Sequence, residues 1–146
     1  MIWPANKATI PTGGPMAGFA VKKIDEMEAI YGGGFKRARA ELGVESFGMQ
    51  IIDMPPNFER YPTHDHAGDG QEEVFIALRG GGRIEIDGEL HPLDADHVAR
   101  VSPGVPRKVL PGDEGIRLLV LGGVPGEVYD PPDISKLGGL DPALQG

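Results

Sequence analysis

The chain has 146 residues and a mass of 15.5 kDa, enough for one ordinary domain with a self-supporting core and too little for a second. It contains no cysteine, which excludes disulfides, thiolate catalysis and sulfur-bound metal clusters, so any metal must rest on nitrogen and oxygen ligands. Fourteen Lys and Arg against 22 Asp and Glu give a net charge of −8, a field that repels phosphate backbones and anionic headgroups and argues against nucleic acid or a membrane as partner.

Residues 1–34 read as an N-terminal arm. Met1 to Gly18 carries Pro4, Pro11 and Pro15 and no apolar run behind a basic start, so neither a signal peptide nor an anchor is expected. No segment approaches the roughly 20 apolar residues of a membrane span, and the expected location is the cytoplasm. Met1 to Ala20 has no sustained period and is expected to extend over the body or a partner subunit. Val21, Ile24, Met27 and Ile30 fall three apart, as on one helical face, and helix or irregular strand stays open there until Gly32-Gly33-Gly34 ends the segment.

From Phe35 the punctuation turns regular and predicts an all-β body over residues 35–124. Phe35 to Leu42 and Glu45 to Met54 read as strands divided by Gly43, the second stopped by Pro55-Pro56. Tyr61 to His66 reads as a short strand. Glu73 to Leu78 and Arg83 to Ile86 follow, separated by Gly80-Gly81-Gly82, and Asp87-Gly88 has the form of a tight hairpin turn. Val98 to Val101, Arg107 to Leu110 and Ile116 to Leu121 complete the set, with turns at Ser102-Pro103-Gly104 and Pro111-Gly112-Asp113. Residues 125–146, with Pro131-Pro132 and Gly138-Gly139, read as a wrapping tail. About eight short strands in one domain fit a jelly roll or small barrel with little helix and a site in its mouth.

The chemistry concentrates at His64 and His66. Residues two apart on a strand share a face, so both imidazoles can converge while Asp65 points away. The polar loop Ala67 to Gln71 leads to Glu72-Glu73 at the start of the next strand, which carries a carboxylate back beside them. Two histidines and one carboxylate cover one face of a metal and leave positions open. Glu72 alternates to the solvated face. Asp69 and Gln71 lie on a loop from which they can reach inward. His91 and His97, flanking Asp94 and Asp96, read as surface groups, with His97 a further candidate ligand. Same-face alternation puts Phe75 and Ala77 on the lining, with Gln50, Ile52 and Met54 as a second row. The glycine runs lack the Lys-Ser or Lys-Thr of a phosphate loop, and no serine sits in a nucleophile elbow.

The run from Pro56 to Gly80 resembles the first motif of the cupin superfamily, G-x5-H-x-H-x3-4-E-x6-G, and Gly88 to Arg107 resembles the second, which ends P-x-G-x2-H. His64 and His66 match the motif histidines, and Glu73 is the acid that precedes Gly80 at the motif's spacing. The loop from His66 to Glu73 is longer than the motif, Phe58 stands where its first glycine would be, and Arg107 replaces the last histidine. The resemblance, spanning Ala40 to Gly122, implies a single-domain jelly-roll β-barrel and often a divalent metal held by three histidines and a glutamate. Arg107 has no lone pair to give and repels a cation.

Two outcomes follow. In one, His64, His66 and Glu73 bind Fe²⁺, Mn²⁺, Ni²⁺ or Zn²⁺, and Arg107, with Phe75 and Gln50, holds a small anionic organic ligand for an oxygenase or isomerase reaction. In the other, Arg107 occupies the metal's place and pairs with Glu73, leaving a metal-free small-molecule-binding or non-catalytic barrel. Exposed sheet edges favour a homodimer.

Overall fold

The structure, a computed structural model, describes residues 13–14 and 17–144, so the greater part of the arm expected over Met1 to Ala20 lies outside the described residues. Among the described residues, strands β1 (Gly13–Gly14) and β2 (Phe19–Ala20) pair only with each other. The remaining strands are β3 (Ala29–Ile30), β4 (Phe35–Lys36), β5 (Gly48–Met54), β6 (Glu72–Ile86), β7 (Glu89–Leu93), β8 (Ala99–Val101) and β9 (Arg107–Gly123). They form a seven-stranded antiparallel sheet in the order β3-β4-β5-β9-β6-β7, with β8 also on β6.

β6 and β9 run past every break that the glycine and proline signals predict. Gly80-Gly81-Gly82 and Pro111-Gly112 lie inside these strands, where the β6–β9 register shifts between Ala77 and Arg79 and again between Gly80 and Gly82. A Cβ on Gly82 would stand 2.2 Å from the Leu110 carbonyl oxygen, so the two backbones come together only because no side chain intervenes. Each long strand thereby serves two halves. The first half of β6 lies with β8 and the end of β9, and the second half lies with β7 and the start of β9.

Side chains from both halves share one core of Met54, Phe75, Ile84, Leu93, Val109 and Leu118 with their neighbours, and this closes the jelly-roll barrel. β5 is covered on both faces. Ile52 and Met54 turn to the main core, while Met49 and Ile51 meet a second cluster with Met27 and Ala38.

Local differences from the sequence expectation have local causes. Phe35 to Leu42 is a two-residue strand followed by a short helix, α1 (Ala38–Leu42), rather than one strand. Gly43, with φ of 76°, caps it by donating its amide to Arg39 and Ala40 carbonyls, and Ala38 is small enough to bury completely against the sheet. Val21 to Tyr31 resolves into a 3-10 turn at Ile24–Glu26 and then β3. Of Tyr61 to His66 only His64 makes a ladder contact, opposite Arg107. Asp87 and Gly88, both with positive φ, form the expected two-residue hairpin turn. His91 lies on strand β7, Glu89–Leu93. No helix among the described residues is long and apolar enough to cross a membrane.

Candidate metal centre

Three backbone contacts bring the site together. The amide of His64 donates to the Arg107 carbonyl at 3.0 Å, and Arg107 returns the bond at 2.9 Å. The amide of His66 donates to the Pro103 carbonyl at 2.7 Å. The turn Ser102 to Pro106 therefore clamps the His-x-His segment, and Glu73, opposite Val101 on β8, faces both rings. Glu73 also stands opposite Gly122 of β9, which in turn stands opposite Gly48 of β5. A Cβ on Gly122 would come within 2.9 Å of Gln71 Oε1, so this glycine makes room for the segment entering the site.

His64, His66 and Glu73 each offer one ligand atom, and the three atoms lie within 4.8 Å of one another. His66 Nε2 is 3.1 Å and His64 Nε2 is 3.9 Å from Glu73 Oε1. The other ring nitrogens decide the tautomers. His66 Nδ1 lies 3.1 Å from the Asp69 carboxylate and His64 Nδ1 lies 3.2 Å from the Pro62 carbonyl. Both partners only accept, so each Nδ1 donates and each Nε2 keeps its lone pair when the ring is neutral. The lone pairs of His66 Nε2 and Glu73 Oε1 then face each other at contact distance, an arrangement that needs a proton or a metal cation between them. Glu73, aided by Asp69 against the opposing effect of burial, raises the His66 imidazole above its ordinary pKa.

Arg107 is fully buried beside them. Its Nη2 donates to the Ser102 carbonyl at 2.8 Å, and its Nη1 lies 3.4 Å from Glu73 Oε1. Five buried side-chain nitrogen and oxygen atoms among the described residues lack a hydrogen-bond partner, and four of them are here: His66 Nε2, Glu73 Oε1, Arg107 Nε and Arg107 Nη1. Such a concentration marks a place where a further polar group belongs. The donor set of two imidazole nitrogens and a carboxylate oxygen fits a divalent metal, and Arg107 lies beside it.

The other named residues are distributed as follows. Asp69 orients His66 and also accepts from the Gln71 amide and side chain. Glu72 is on the outer side, paired with Arg100. His91 and His97 are exposed and lie with Glu89 and Asp94, outside the cluster. Phe75 is fully enclosed in the core, and Gln50 is half-buried in the row with Val120 and Phe75. Tyr61, which packs edge-on against His64, has its phenol pushed up by burial and by the Glu73 charge.

A groove of about 1160 Å³ reaches this region. Among the described residues it is lined by Phe35, Ile52, Met54, Phe58 and Tyr61, and His64 stands in its wall. Arg107, Phe75 and Gln50 do not line it.

The Cupin domain family model matches residues 50–122, half of the chain. The chain belongs to the cupin family. A cupin protein from Bacteroides fragilis shares the fold with a TM-score of 0.60 at 19% identity, over 84% of this cupin and 98% of that chain. A DMSP lyase from Ruegeria pomeroyi aligns at 23% identity and a TM-score of 0.49, over 58% of this cupin and 42% of that enzyme. A salicylate 1,2-dioxygenase from Pseudoaminobacter salicylatoxidans aligns at 17% identity and a TM-score of 0.46, over 53% and 21% respectively. A search of curated proteins finds no match.

Proposed function

We propose that this cupin binds a divalent metal through His64, His66 and Glu73 and presents it to a small organic ligand. The observation that carries the reading is the apposition of His66 Nε2 and Glu73 Oε1 at 3.1 Å, with both histidine Nδ1 atoms already committed to acceptors. When bound, Fe²⁺, Mn²⁺, Ni²⁺ or Zn²⁺ would supply Lewis-acid polarisation of a ligand oxygen or activation of dioxygen, chemistry suited to an oxygenase or isomerase. The chain's own residues do the rest. Asp69 and the Pro62 carbonyl aim the rings, the Pro103 carbonyl holds the His66 backbone, and Arg107 lies beside Glu73 and offsets its charge.

Metal analysis of protein purified without a histidine tag or chelator tests the proposal. One equivalent of metal is expected, lost in His64→Ala and in His66→Ala. Protein that stays empty after incubation with each of the four metals rejects it.

A second reading rests on the 3.4 Å approach of Arg107 to Glu73. Here the guanidinium takes the metal's place and the barrel binds its ligand without metal. Wild type is then metal-free, while Arg107→His, which completes a four-ligand set, binds metal.

A further inference from the structure

The groove beside His64 differs in charge from the rest of the molecule. Four cations line it among the described residues: Lys36, Arg60, Arg79 and Arg117. Two of them are already used. Lys36 Nζ and Arg117 Nε each lie 2.8 Å from Asp53 carboxylate oxygens, and Arg117 also binds Asp25. Arg60 and Arg79 are exposed, and neither has an ion-pair partner among the described residues. Glu114 is the one further carboxylate in the lining. Two free guanidinium groups against one carboxylate leave the groove locally positive on a chain of net charge −8, so an anion is attracted here although the chain as a whole repels it.

The rest of the lining is apolar. The Arg60 guanidinium lies 5.7 Å from the centroid of the Phe58 ring, which holds its planar donors over an aromatic wall. Phe58, Tyr61, Ile52 and Met54 form a surface for a hydrophobic body, and His64 marks the end nearest the candidate metal centre. A guanidinium recognises a carboxylate through two parallel N–H···O bonds, while the apolar surface rejects a bare, fully hydrated anion.

We propose that the groove binds a small organic monocarboxylate with an apolar chain or ring, its carboxylate on Arg60 and its body lying over Phe58 and Tyr61 toward His64. The inference rests on the reading of this cupin as a small-molecule binder and names the class of ligand. It does not require the metal.

Titration of the full-length, EDTA-treated protein with 4-phenylbutyrate, cyclohexanecarboxylate, 4-phenylbutanol, 4-phenylbutylamine and inorganic phosphate tests it, read by calorimetry and by amide chemical shifts. The two acids are expected to shift the amides of Phe58, Tyr61 and His64. The alcohol should bind about tenfold more weakly than phenylbutyrate, and Arg60→Gln should cost the acids about the same factor, with Arg60→Lys intermediate. Equal affinity for acid and alcohol, phosphate binding as tight as the acids, indifference to Arg60→Gln, or no shift with either acid overturns the proposal. Loss of metal in His64→Ala is measured separately. A failed acid titration beside intact metal binding sinks only the ligand class, and acid binding to a protein that takes no metal sinks only the metal centre.

Discussion

At the scale of single residues, Arg107 divides the two readings of the site. Its guanidinium is fully enclosed, with one hydrogen bond to the Ser102 carbonyl and an approach of 3.4 Å to Glu73. A unit charge a few ångströms from a divalent ion opposes it by several kcal/mol even at an effective dielectric of about 20. Arg107→His removes that repulsion and adds a neutral donor, so metal affinity, followed by competition with a chromophoric chelator, should rise by more than about tenfold. An unchanged affinity would mean that Arg107 lies outside the metal's reach. Arg107→Met instead leaves Glu73 without its cationic neighbour and should cost about 3–5 kcal/mol in urea unfolding of the metal-free protein. Toward the metal ligands, Asp69 acts through His66. Asp69→Ala frees the ring to rotate and should lower metal affinity about 10–100-fold, with little effect on the unfolding midpoint. His64 and His66 were legible because residues two apart in extended backbone share a side, Glu73 as the acid that opens the next strand, and Arg107 as the odd member of a motif. Asp69 was named in the sequence only as a loop residue able to reach inward. Its position depends on two local turns, in which Asp65 accepts from the Ala67 amide and Asp69 from the Gln71 amide. Gly122 carried no signal, since its role depends on a register across β6 and β9 that the chain order does not reveal.

Among the elements, the bends of β6 and β9 carry the barrel. Gly80 has φ of 69°, and a Cβ there would stand 2.2 Å from the Gly115 carbonyl oxygen. Gly80→Ala and Gly82→Ala should each destabilise the protein by about 2 kcal/mol or more, read from urea midpoints, whereas Gly88→Ala, in open space, should pay only for its positive φ, about 1 kcal/mol. The same glycines explain what the sequence concealed. Gly-Gly-Gly and Pro-Gly signal a chain break and a close backbone approach equally well, and only the pairing partner distinguishes them. Asp87-Gly88 was unambiguous because both residues tolerate positive φ and the flanking runs are two residues apart. Asp53 on β5 ties β4 to β9 through Lys36 and Arg117. Its bond from Arg117, with further help from Lys36 and against partial burial, lowers its pKa from an ordinary 3.8 to about 2. A carboxyl whose pKa is depressed on folding stabilises the protein fully above pH 3.8 and loses that contribution as pH falls through about 2. Acid titration of unfolding free energy should therefore slope downward in this window for wild type and less steeply for Asp53→Asn. Identical slopes would remove Asp53 from the acid response.

On the scale of the whole molecule, the C-terminal segment is bound to the body around one buried cation. Arg37, only 1% exposed, donates through Nε to the Ile134 carbonyl and through its terminal nitrogens to the Gly139 and Leu140 carbonyls, and it lies 3.3 Å from Glu28. Glu28 in turn accepts from the Gly138 amide, and Asp141 accepts from the Tyr31 amide. The segment also reaches the groove, since Ile134 and the Tyr31 to Gly34 turn stand in its wall. A chain ending at Pro131 would leave the Arg37 donors without their carbonyls, with Glu28 as the one partner that stays. Stranding a buried charge in this way costs about 3–5 kcal/mol, far more than the loss of a solvated tail. The same truncation in an Arg37→Met background removes no hydrogen-bonded charge and should cost about half as much, because an apolar side chain of similar length needs no acceptor. Urea unfolding of the four proteins in this cycle gives the coupling directly. A coupling energy near zero would show that the tail is held by its surface contacts, and that Arg37 is satisfied by water once the tail is gone.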